Sequence, residues 1–220
     1  MNAQASLTHV RKKQLWRELV RAKIIAQARC LELIGHQDAS ALSKMCGSVK
    51  SGDPDNVEAR AARYYWPRLF GDDFRRDANQ SGLNSHLNYG YTVLRSAMAR
   101  SVVSVGLSPA LGLHHRSRLN AFQLIDDLME PFRPLVDYLV WSNKALWDVE
   151  LTSDGKRILA AIVNAPMSME MGESPVSKVM TAVSMSLAKI CTDGGQKMSW
   201  PTDWALSNQG EFSFADSGSA

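Results

Sequence analysis

The sequence predicts an all-α fold, and three observations support that prediction. Apolar residues recur three or four positions apart over several long segments, as the buried face of an amphipathic helix requires. Alternation of apolar and polar residues, which is typical of half-buried strands, is nearly absent. With 220 residues, 45% of them hydrophobic and 21% charged, the chain can build one main core. We therefore expect a helical domain over residues 1–192 and an irregular tail over residues 193–220.

Each early helix has a start or stop signal in addition to its periodicity. The predicted helices span, in order, residues 7–34, 54–66, 83–105, 127–147, 152–164 and 174–191. Gly35 follows the first helix. Asp53 can cap the second, while Pro54 occupies its first turn, where a missing N–H costs nothing. Pro67 ends that helix, because the residue before a proline resists helical backbone angles.

The later helices are bounded by similar residues. Gly106 closes the third helix in the usual position after a helix C-terminus. Pro131 has no N–H to donate, which costs a hydrogen bond in the interior of a helix but little in its first turn. The fourth helix is therefore predicted to start near Asp127. Thr152 can cap the fifth helix. The segment from Asp193 onward has no period, and we expect it to be loosely attached.

Composition narrows the function classes without identifying one. The formal charge of +3 does not by itself indicate a nucleic-acid binder, although basic residues bunch at residues 9–23, 58–76 and 114–118. The three cysteines are widely spaced and form no CxxC pair, so neither a disulfide framework nor a zinc knuckle is predicted. No apolar run approaches the roughly 20 residues that span a bilayer, and the first residues show no signal-sequence pattern. We expect a cytoplasmic protein with no membrane partner.

Two acidic residues at the start of the fourth predicted helix are candidates for either structure or chemistry. Asp127 and Glu130 lie three positions apart, so they share a face if both are helical. The pattern D-x-x-E fits a capping box, in which Asp127 accepts from the backbone of Glu130 and Glu130 reaches back. The same carboxylates could instead bind a cation, because the helix dipole keeps them ionised. Local sequence leaves both interpretations open.

Glu58 is a further candidate because its own helix offers it no ion-pair partner. The positions three and four residues later are Ala61 and Ala62. If Glu58 is buried, a metal ion or a base from elsewhere in the fold must compensate its charge; the alternative is an exposed surface carboxylate. His114 and His115 are either surface histidines or ligands, and as neighbours they cannot both face one point. A His with two carboxylates suits Mg²⁺ or Mn²⁺ better than Zn²⁺.

The motifs of other hydrolases are missing from the sequence. It contains no HExxH, no G-x-S-x-G, no Glu-x-x-His of di-iron bundles and no phosphate-binding G-x-x-x-x-G-K-[ST]. A divalent ion flanked by arginines can neutralise a phosphate and activate water or a hydroxyl as nucleophile. The chemistry that remains is metal-assisted reaction at a phosphodiester.

Three segments of the chain resemble the CRISPR adaptation integrase in the form found in type II systems. They are NVEARAARYYWPRLFG, FRRDANQSGLNSHLNYGYTVLRSAMARSVVSVGLSPALGLHH and NAFQLIDDLMEPFRPLVDYLVW, within a likeness that covers roughly residues 10–190. The order and spacing of Leu-Asn-Tyr-Gly-Tyr, Gly-Leu-x-Pro, Gly-Leu-x-His and Asp-Leu-Met-Glu-Pro-Phe-Arg make the likeness specific. It implies the multi-helical catalytic domain of that family.

The resemblance also implies a metal site and a reaction. Matched residue by residue, the ligands of Mg²⁺ or Mn²⁺ would be Glu58, His115 and Glu130. Asp127 matches a further acidic position, and His115 is preferred over His114 because the metal histidine of the family directly precedes the basic loop. The implied reaction is attack of a DNA 3′-hydroxyl on a phosphodiester, which inserts captured fragments as spacers into the CRISPR array; water in its place gives cleavage. Candidate phosphate contacts, each otherwise a surface charge, are Arg60, Arg63, Arg75, Arg76 and Arg116.

The family resemblance finally implies partners. These are double-stranded and branched DNA, including protospacer and CRISPR repeat, a second copy of the chain in a homodimer, and a second adaptation subunit in a heterohexameric complex. The family carries a β-rich domain ahead of the helical domain, whereas this sequence begins almost directly at KKQLWRELVRAK. We expect a chain that lacks this domain, so the alternative function is a catalytically inactive helical module that binds DNA or a subunit.

Overall fold

The protein is described by a computed structural model that covers residues 2–114, 119–143, 150–170, 172–195 and 197–204. Helices predominate in these residues, which confirms the predicted fold class. The helices are α1 (Asn2–Ala5), α2 (His9–Leu33), α3 (Ala39–Gly47), α4 (Val57–Phe70), α5 (Leu83–Ser104), α6 (Gln123–Met129), α7 (Arg133–Ser142), α8 (Ser153–Ala160) and α9 (Val176–Asp193). One 3-10 turn joins α6 to α7 (Glu130–Phe132) and another follows α8 (Ala161–Asn164). The strands are β1 (Pro166–Met169), β2 (Gly172–Pro175) and β3 (Asp203–Trp204).

The helices with long apolar stripes form as predicted. α2, α5 and α9 begin and end within two residues of the expected positions. Thr152 caps α8, since its hydroxyl accepts from the N–H of Gly155 at 3.1 Å. The sequence does not predict α3, which is only 9 residues long, too short for its three buried positions to establish a period.

Two boundaries that were inferred from prolines are wrong. Pro67 lies inside α4, which continues to Phe70 and buries Tyr65 and Leu69 on either side of it. A proline removes one helical hydrogen bond, and here the burial of the surrounding side chains outweighs that loss.

The second wrong boundary is the start of the fourth predicted helix. That helix begins at Gln123, and Pro131 lies in the 3-10 turn between α6 and α7 rather than in a first α-helical turn. The proline does not interrupt α6, because the 3-10 turn separates it from that helix. The four residues before Asp127 therefore belong to α6. The predicted end near Trp147 is wrong as well, because α7 ends at Ser142 and Asn143 has already left the helical backbone conformation.

A small antiparallel sheet was not expected, because its strands have only two to four residues. The strand order is β2-β1-β3, with Met167 opposite Ser174 on one side and Trp204 on the other. The N–H of Met198 also donates to Glu18 Oε2 at 3.0 Å. The part of the predicted irregular tail that the structure describes therefore contains a short strand and packs on the helices.

Two long helices organise the core and position the candidate site. α2 packs against α3, α4, α7 and the 3-10 turn at Glu130–Phe132, whereas α5 packs against α6, α7, α8 and α9. α7 contacts both, and Gly90 of α5 permits its close approach, because a Cβ there would overlap the side chain of Val136. This packing brings two segments with candidate carboxylates to α2. None of the helices in the described ranges is long and apolar enough to cross a membrane.

Candidate metal centre

Two of the predicted metal ligands converge on one lysine of α2. The Nζ of Lys23 lies 2.6 Å from Glu58 Oε1 and 2.7 Å from Glu130 Oε2. The three side chains are largely buried, with 15% of Lys23, 26% of Glu58 and 10% of Glu130 exposed. The expectation that a cation from elsewhere in the fold compensates Glu58 is confirmed, and Lys23 is that cation.

The electrostatics of this ion-pair cluster favour a permanent positive charge on Lys23. Burial acts to lower the pKa of its ammonium group, but the negative charges of Glu130 and Glu58 and hydrogen bonds to both outweigh burial, so the pKa is raised above its ordinary value. Glu130 has a second cation as well, because Nη2 of Arg133 lies 3.1 Å from its Oε1. Lys23 and Arg133 thus hold the two oxygens of Glu130 in place.

Asp53 positions Glu58. Its carboxylate accepts from the N–H of Val57 at 2.9 Å and from the N–H of Glu58 at 3.0 Å, so Asp53 does bond to free amides in the first turn of α4. The predicted start is nevertheless wrong, because α4 begins at Val57, Asn56 is the residue that directly precedes it, and Pro54 lies outside the helix. The turn between cap and helix is tight: Asp53 has φ 47° and Asn56 has φ 50°. Asp and Asn tolerate this left-handed region better than other residues with a Cβ. The turn therefore places Glu58 in the first helical turn, where the helix dipole favours a negative charge.

Asp127 does not cap a helix, and the capping-box interpretation is wrong. Since α6 begins at Gln123, Asp127 lies within the helix, and the backbone N–H of Glu130 bonds to its backbone carbonyl rather than to its side chain. The fully buried carboxylate of Asp127 instead accepts from the N–H of Leu113 at 2.7 Å and of His114 at 3.1 Å, both at Oδ2. It binds the loop that precedes His115.

The histidine pair is only partly covered by the structure. His115 and Arg116 lie outside the described residues. His114 is exposed on one face, and its ring stacks on Trp16 of α2 with ring centroids 4.2 Å apart and planes 8° apart. Among the residues with described positions, no three His, Cys, Asp or Glu side chains gather around one point. The set Glu58, His115 and Glu130 therefore stays a prediction.

The two carboxylates that the structure describes fit the ion that the sequence predicts. One oxygen of each carboxylate contacts the same cation, which is the ammonium group of Lys23. The two oxygens are therefore no further apart than the sum of their distances to the Lys23 nitrogen. Carboxylate oxygens are the ligands that Mg²⁺ and Mn²⁺ prefer. Glu58 and Glu130 could hold such an ion if Lys23 moved aside.

Comparison with known proteins identifies the family. The model of the family described as "CRISPR associated protein Cas1" matches residues 1–150, more than half of the chain. The chain belongs to the Cas1 family. The CRISPR-associated endonuclease Cas1 of Neisseria meningitidis serogroup C is 41% identical over 173 residues, which cover 77% of this chain and 57% of the relative. A CRISPR-associated endonuclease Cas1 of Pyrobaculum aerophilum is 36% identical over 135 residues, which cover 54% of this chain and 45% of the relative.

These matches confirm the family that the motifs predicted, but the chain spans about half the length of the curated relatives it matches. Solved structures share its fold. A casposase bound to integration product has a TM-score of 0.74 at 23% identity, and the match covers 90% of this chain and 66% of the casposase chain. A CAS1 protein from Thermotoga maritima has a TM-score of 0.72 at 18% identity, covering 89% and 71%. A chain of a Cas6-RT-Cas1–Cas2 complex has a TM-score of 0.68 at 16% identity, covering 89% and 25%.

The arginines predicted to contact phosphates differ in their exposure and in the hydrogen bonds that they make within the protein. Arg60 and Arg63 are exposed on α4, the helix that carries Glu58. Arg75 is also exposed and donates to the carbonyl of Phe74 in its own loop at 2.9 Å. These three are available to a ligand, and their role in this Cas1 chain stays a prediction.

Arg76 is engaged within the protein. Its guanidinium donates to Asn84 Oδ1 at 2.8 Å and to Asn88 Oδ1 at 2.5 Å, and it lies 5.2 Å from the ring centre of Tyr91. These contacts tie the polar loop after α4 to the start of α5. Any contact of Arg76 with phosphate would compete with them.

Sequence reasoning missed a basic cavity beside His114. It has a volume of about 210 Å³, and no carboxylate is among its described lining residues, which are His9, Lys12, Lys13, Trp16, Gly52, Leu113 and His114. The signal for it was the basic segment at residues 9–23. The sequence could not show that this segment lies against the loop before His115. Lys23 was missed for the same reason, although Glu58 pointed to an unidentified cation.

A second buried carboxyl group lies close to the candidate metal centre. Asp137 of α7 is 2% exposed, and it accepts from the hydroxyl of Tyr65 at 3.0 Å and from the hydroxyl of Tyr91. Burial raises the pKa of Asp137 to about 7, even though both hydrogen bonds and the charge of Arg133 act to lower it. A cavity of about 150 Å³ has both Asp137 and Glu130 in its wall.

Proposed function

We propose that this chain is a metal-dependent DNA endonuclease and integrase of CRISPR adaptation. The observation that carries the proposal is the convergence of Glu58 and Glu130 on one cation position in a chain of the Cas1 family. The proposed substrates are double-stranded and branched DNA, including protospacer and CRISPR repeat. The proposed reaction breaks one P–O bond in the target strand and forms one to a 3′-hydroxyl, or to water in cleavage. The attacking hydroxyl loses a proton, and the departing oxygen takes one up.

The residues of this chain would divide the work of that reaction. Glu58, Glu130 and His115 would hold Mg²⁺ or Mn²⁺, which supplies charge neutralisation at the scissile phosphate and activation of the nucleophile. Asp53 orients Glu58 through two backbone amides, and Arg133 orients Glu130.

Lys23 and the exposed arginines would bring positive charge to the substrate. The ammonium of Lys23 must leave its position between the carboxylates when the ion binds. It would then remain a cation next to a phosphate, where charge develops during the reaction. Arg60 and Arg63 on α4, together with Arg75, would contact the DNA backbone in a way that depends on salt and not on base sequence.

The proposed partners follow from family membership. They are a second copy of this chain in a homodimer and a second CRISPR adaptation subunit in a heterohexameric complex. The support comes from similar folds in a casposase bound to integration product and in a Cas6-RT-Cas1–Cas2 complex.

The experiment that tests the function measures cleavage and strand transfer on branched DNA in Mn²⁺. We expect Glu58→Ala, His115→Ala and Glu130→Ala each to reduce both activities to background. Asp154→Ala is the matched control, because this carboxylate is 80% exposed and pairs with Arg157 on its own helix. Wild-type activity in all three ligand variants would refute the proposal.

One observation favours a second candidate function, a DNA-binding or subunit-binding module without catalysis. Lys23 already compensates both carboxylates, so the cluster is stable as an ion-pair network that needs no metal. This candidate predicts salt-sensitive DNA binding without turnover in the wild-type chain, at any concentration of Mn²⁺. Detection of metal-dependent turnover would exclude it.

A further inference from the structure

Gln27 of α2 is a buried polar side chain whose carbonyl group has no hydrogen-bond partner among the described residues. The residue is 3% exposed, and its Oε1 atom is shielded from solvent. A buried acceptor that is left unpaired costs free energy, and native proteins contain few of them. A donor that reaches this oxygen in another state of the protein would account for it.

Gln27 lies in the wall of a cavity that borders the candidate metal centre. This cavity, the one of about 150 Å³ described above, also has Lys23, Glu130 and Asp137 in its wall. A cavity needs only about 10–15 Å³ to hold a water molecule, and an ammonium group is of similar size. The cavity therefore has room for the end of a lysine side chain.

Lys23 can reach Gln27, because the two residues are four positions apart on α2. Side chains at this spacing lie next to each other on one face of a helix. In the structure the ammonium group of Lys23 instead contacts Glu58 at 2.6 Å and Glu130 at 2.7 Å. The flexible four-carbon stem of a lysine allows the group to turn from the carboxylates to Gln27 while the helix stays in place.

A divalent ion between the two glutamates would force this movement. The ion and the ammonium group cannot occupy one position, and as like charges they repel each other. In the cavity the ammonium group would find two acceptors, the carbonyl of Gln27 and the carboxyl group of Asp137. The ionised form of a carboxyl group is favoured beside a cation, so Asp137 would add to the attraction.

The two arginines in the wall of the cavity are bound to other acceptors. The guanidinium of Arg76 donates to two asparagine side chains of α5. Nη2 of Arg133 lies 3.1 Å from Oε1 of Glu130. Lys23 is the remaining cation of the wall, and its present acceptors are the two glutamates that the ion would take.

We propose that Gln27 is a positioning residue, whose side-chain carbonyl accepts the ammonium group of Lys23 when a divalent ion takes the position between Glu58 and Glu130. The inference rests on the metal centre of the proposed function, and of that centre it uses only the two glutamates. In its second position Lys23 stays in the wall that it shares with Glu130, so its charge remains beside the centre. An acceptor that is already in place makes the displacement of Lys23 less costly and thereby strengthens ion binding.

The test is the affinity of the full chain for Mn²⁺ alone, measured by isothermal titration calorimetry. Gln27→Met keeps an unbranched side chain, but its thioether is only a weak acceptor. We expect the affinity to fall about 10- to 100-fold, which corresponds to the loss of a hydrogen bond to a charged group. Gln27→Glu keeps an acceptor at the same reach and should bind Mn²⁺ at least as tightly as the wild type. Equal affinity of Gln27→Met and the wild type would overturn the inference.

The matched control is another glutamine of α2. Gln14 accepts from Arg11 at 3.2 Å and is not among the wall residues of the cavity. Gln14→Met makes the same chemical change on the same helix, and its affinity for Mn²⁺ should equal that of the wild type. A loss as large as that of Gln27→Met would overturn the inference, because the effect would then not depend on the cavity.

The Lys23→Met background shows whether Gln27 acts through Lys23. This variant has no ammonium group to accommodate, so adding Gln27→Met should leave its affinity for Mn²⁺ unchanged. Residues that contact each other are coupled in this way, whereas independent effects add. An equal loss of affinity in both backgrounds would overturn the inference, since Gln27 would then act on the ion without Lys23.

Thermal unfolding without metal gives a readout that does not depend on the ion. The Oε1 atom of Gln27 accepts no hydrogen bond from the described residues, so Gln27→Met removes none and should not lower the melting temperature. A merely structural role predicts a lower melting temperature, and that result would overturn the inference. If Gln27→Met did not fold, Gln27→Glu would decide, because it should tighten Mn²⁺ binding only where Lys23 is present.

DNA cleavage is measured in parallel to keep the two proposals apart. If the wild type binds Mn²⁺ with the expected pattern of variants but does not act on DNA, the proposed function fails and the role of Gln27 stands. If the wild type cleaves DNA in Mn²⁺ while Gln27→Met binds the ion as the wild type does, the function stands and the role of Gln27 is wrong. Absence of Mn²⁺ binding to the wild type would overturn the inference.

Discussion

Glu130 and Asp137 are two buried carboxyl groups seven residues apart that the fold stabilises by opposite means. Glu130 lies between two cations, Lys23 and Arg133, whereas Asp137 is held by the hydroxyls of Tyr65 and Tyr91. Neutral donors compensate a buried charge less completely than cations do, and the pKa of Asp137 is accordingly raised to about 7.

The difference indicates which carboxyl group can take part in metal chemistry. A carboxylate that is paired with an ammonium group can exchange one cation for another without losing its charge compensation. Asp137 is held by hydrogen bonds from two hydroxyls and has no directly paired cation among the described residues that a metal ion could replace. We therefore assign Glu130 to the candidate centre and Asp137 to the structure that supports it.

The largest expected effect comes from removing the cation between the carboxylates. Lys23→Met leaves Glu58 and Glu130 buried without their shared partner, and loss of one member of a buried ion pair costs about 3–5 kcal/mol of unfolding free energy. Mn²⁺ should then restore stability, because it no longer competes with the ammonium group. Thermal unfolding with and without Mn²⁺ measures this.

The rise in melting temperature on adding Mn²⁺ should be larger in Lys23→Met than in the wild type. Lys44→Met, a substitution at an exposed position of α3, is the control and should behave as the wild type. If Mn²⁺ stabilises Lys23→Met no more than the wild type, Lys23 does not occupy a metal position.

A smaller effect is expected at the carboxyl group held by hydroxyls. The folded-state pKa of Asp137, about 7, lies above its ordinary value of 3.8, so the folded protein holds an extra proton between these values. The stability that Asp137 contributes is full below about pH 4 and is lost as pH rises through about 7. Asp137→Asn cannot ionise, and the tyrosine hydroxyls can accept from its amide.

Urea unfolding at several pH values tests this prediction. The unfolding free energy of Asp137→Asn should fall less than that of the wild type between about pH 4 and pH 7. Asp154→Asn, at an exposed carboxylate, should leave the wild-type pH dependence intact. Identical pH profiles for wild type and Asp137→Asn would show that Asp137 is ionised in the folded protein throughout.

The smallest effect is expected at the basic cavity, where no described carboxylate offsets the lysines. Joint replacement of Lys12 and Lys13 by Ala should weaken DNA binding similarly for all base sequences. It should also reduce the slope of log affinity against log salt by about one for each phosphate that the variant no longer neutralises. Fluorescence anisotropy over a range of salt concentrations measures both, with Lys44→Ala as the control. An unchanged slope would show that the lysines of the cavity do not neutralise DNA phosphates.

The parts of the fold that sequence predicted well are those with local causes. The stripes of α2, α5 and α9 and the Thr152 cap depend on residues within a few positions of one another. The predictions failed where packing overrode a local rule. Pro67 stays inside α4, and Asp127 bonds to a loop instead of capping its own helix.

The sequence by itself determined the family and the candidate carboxylates, because a motif and the lack of a helical partner for Glu58 can be read along one segment. Only the tertiary structure decided which groups compensate those carboxylates. Lys23 meets Glu58 and Glu130, and Asp127 meets Leu113 and His114, across separate segments. An ion pair or a buried hydrogen bond of this kind depends on distances of a few ångströms between segments, and these are set by how the helices pack.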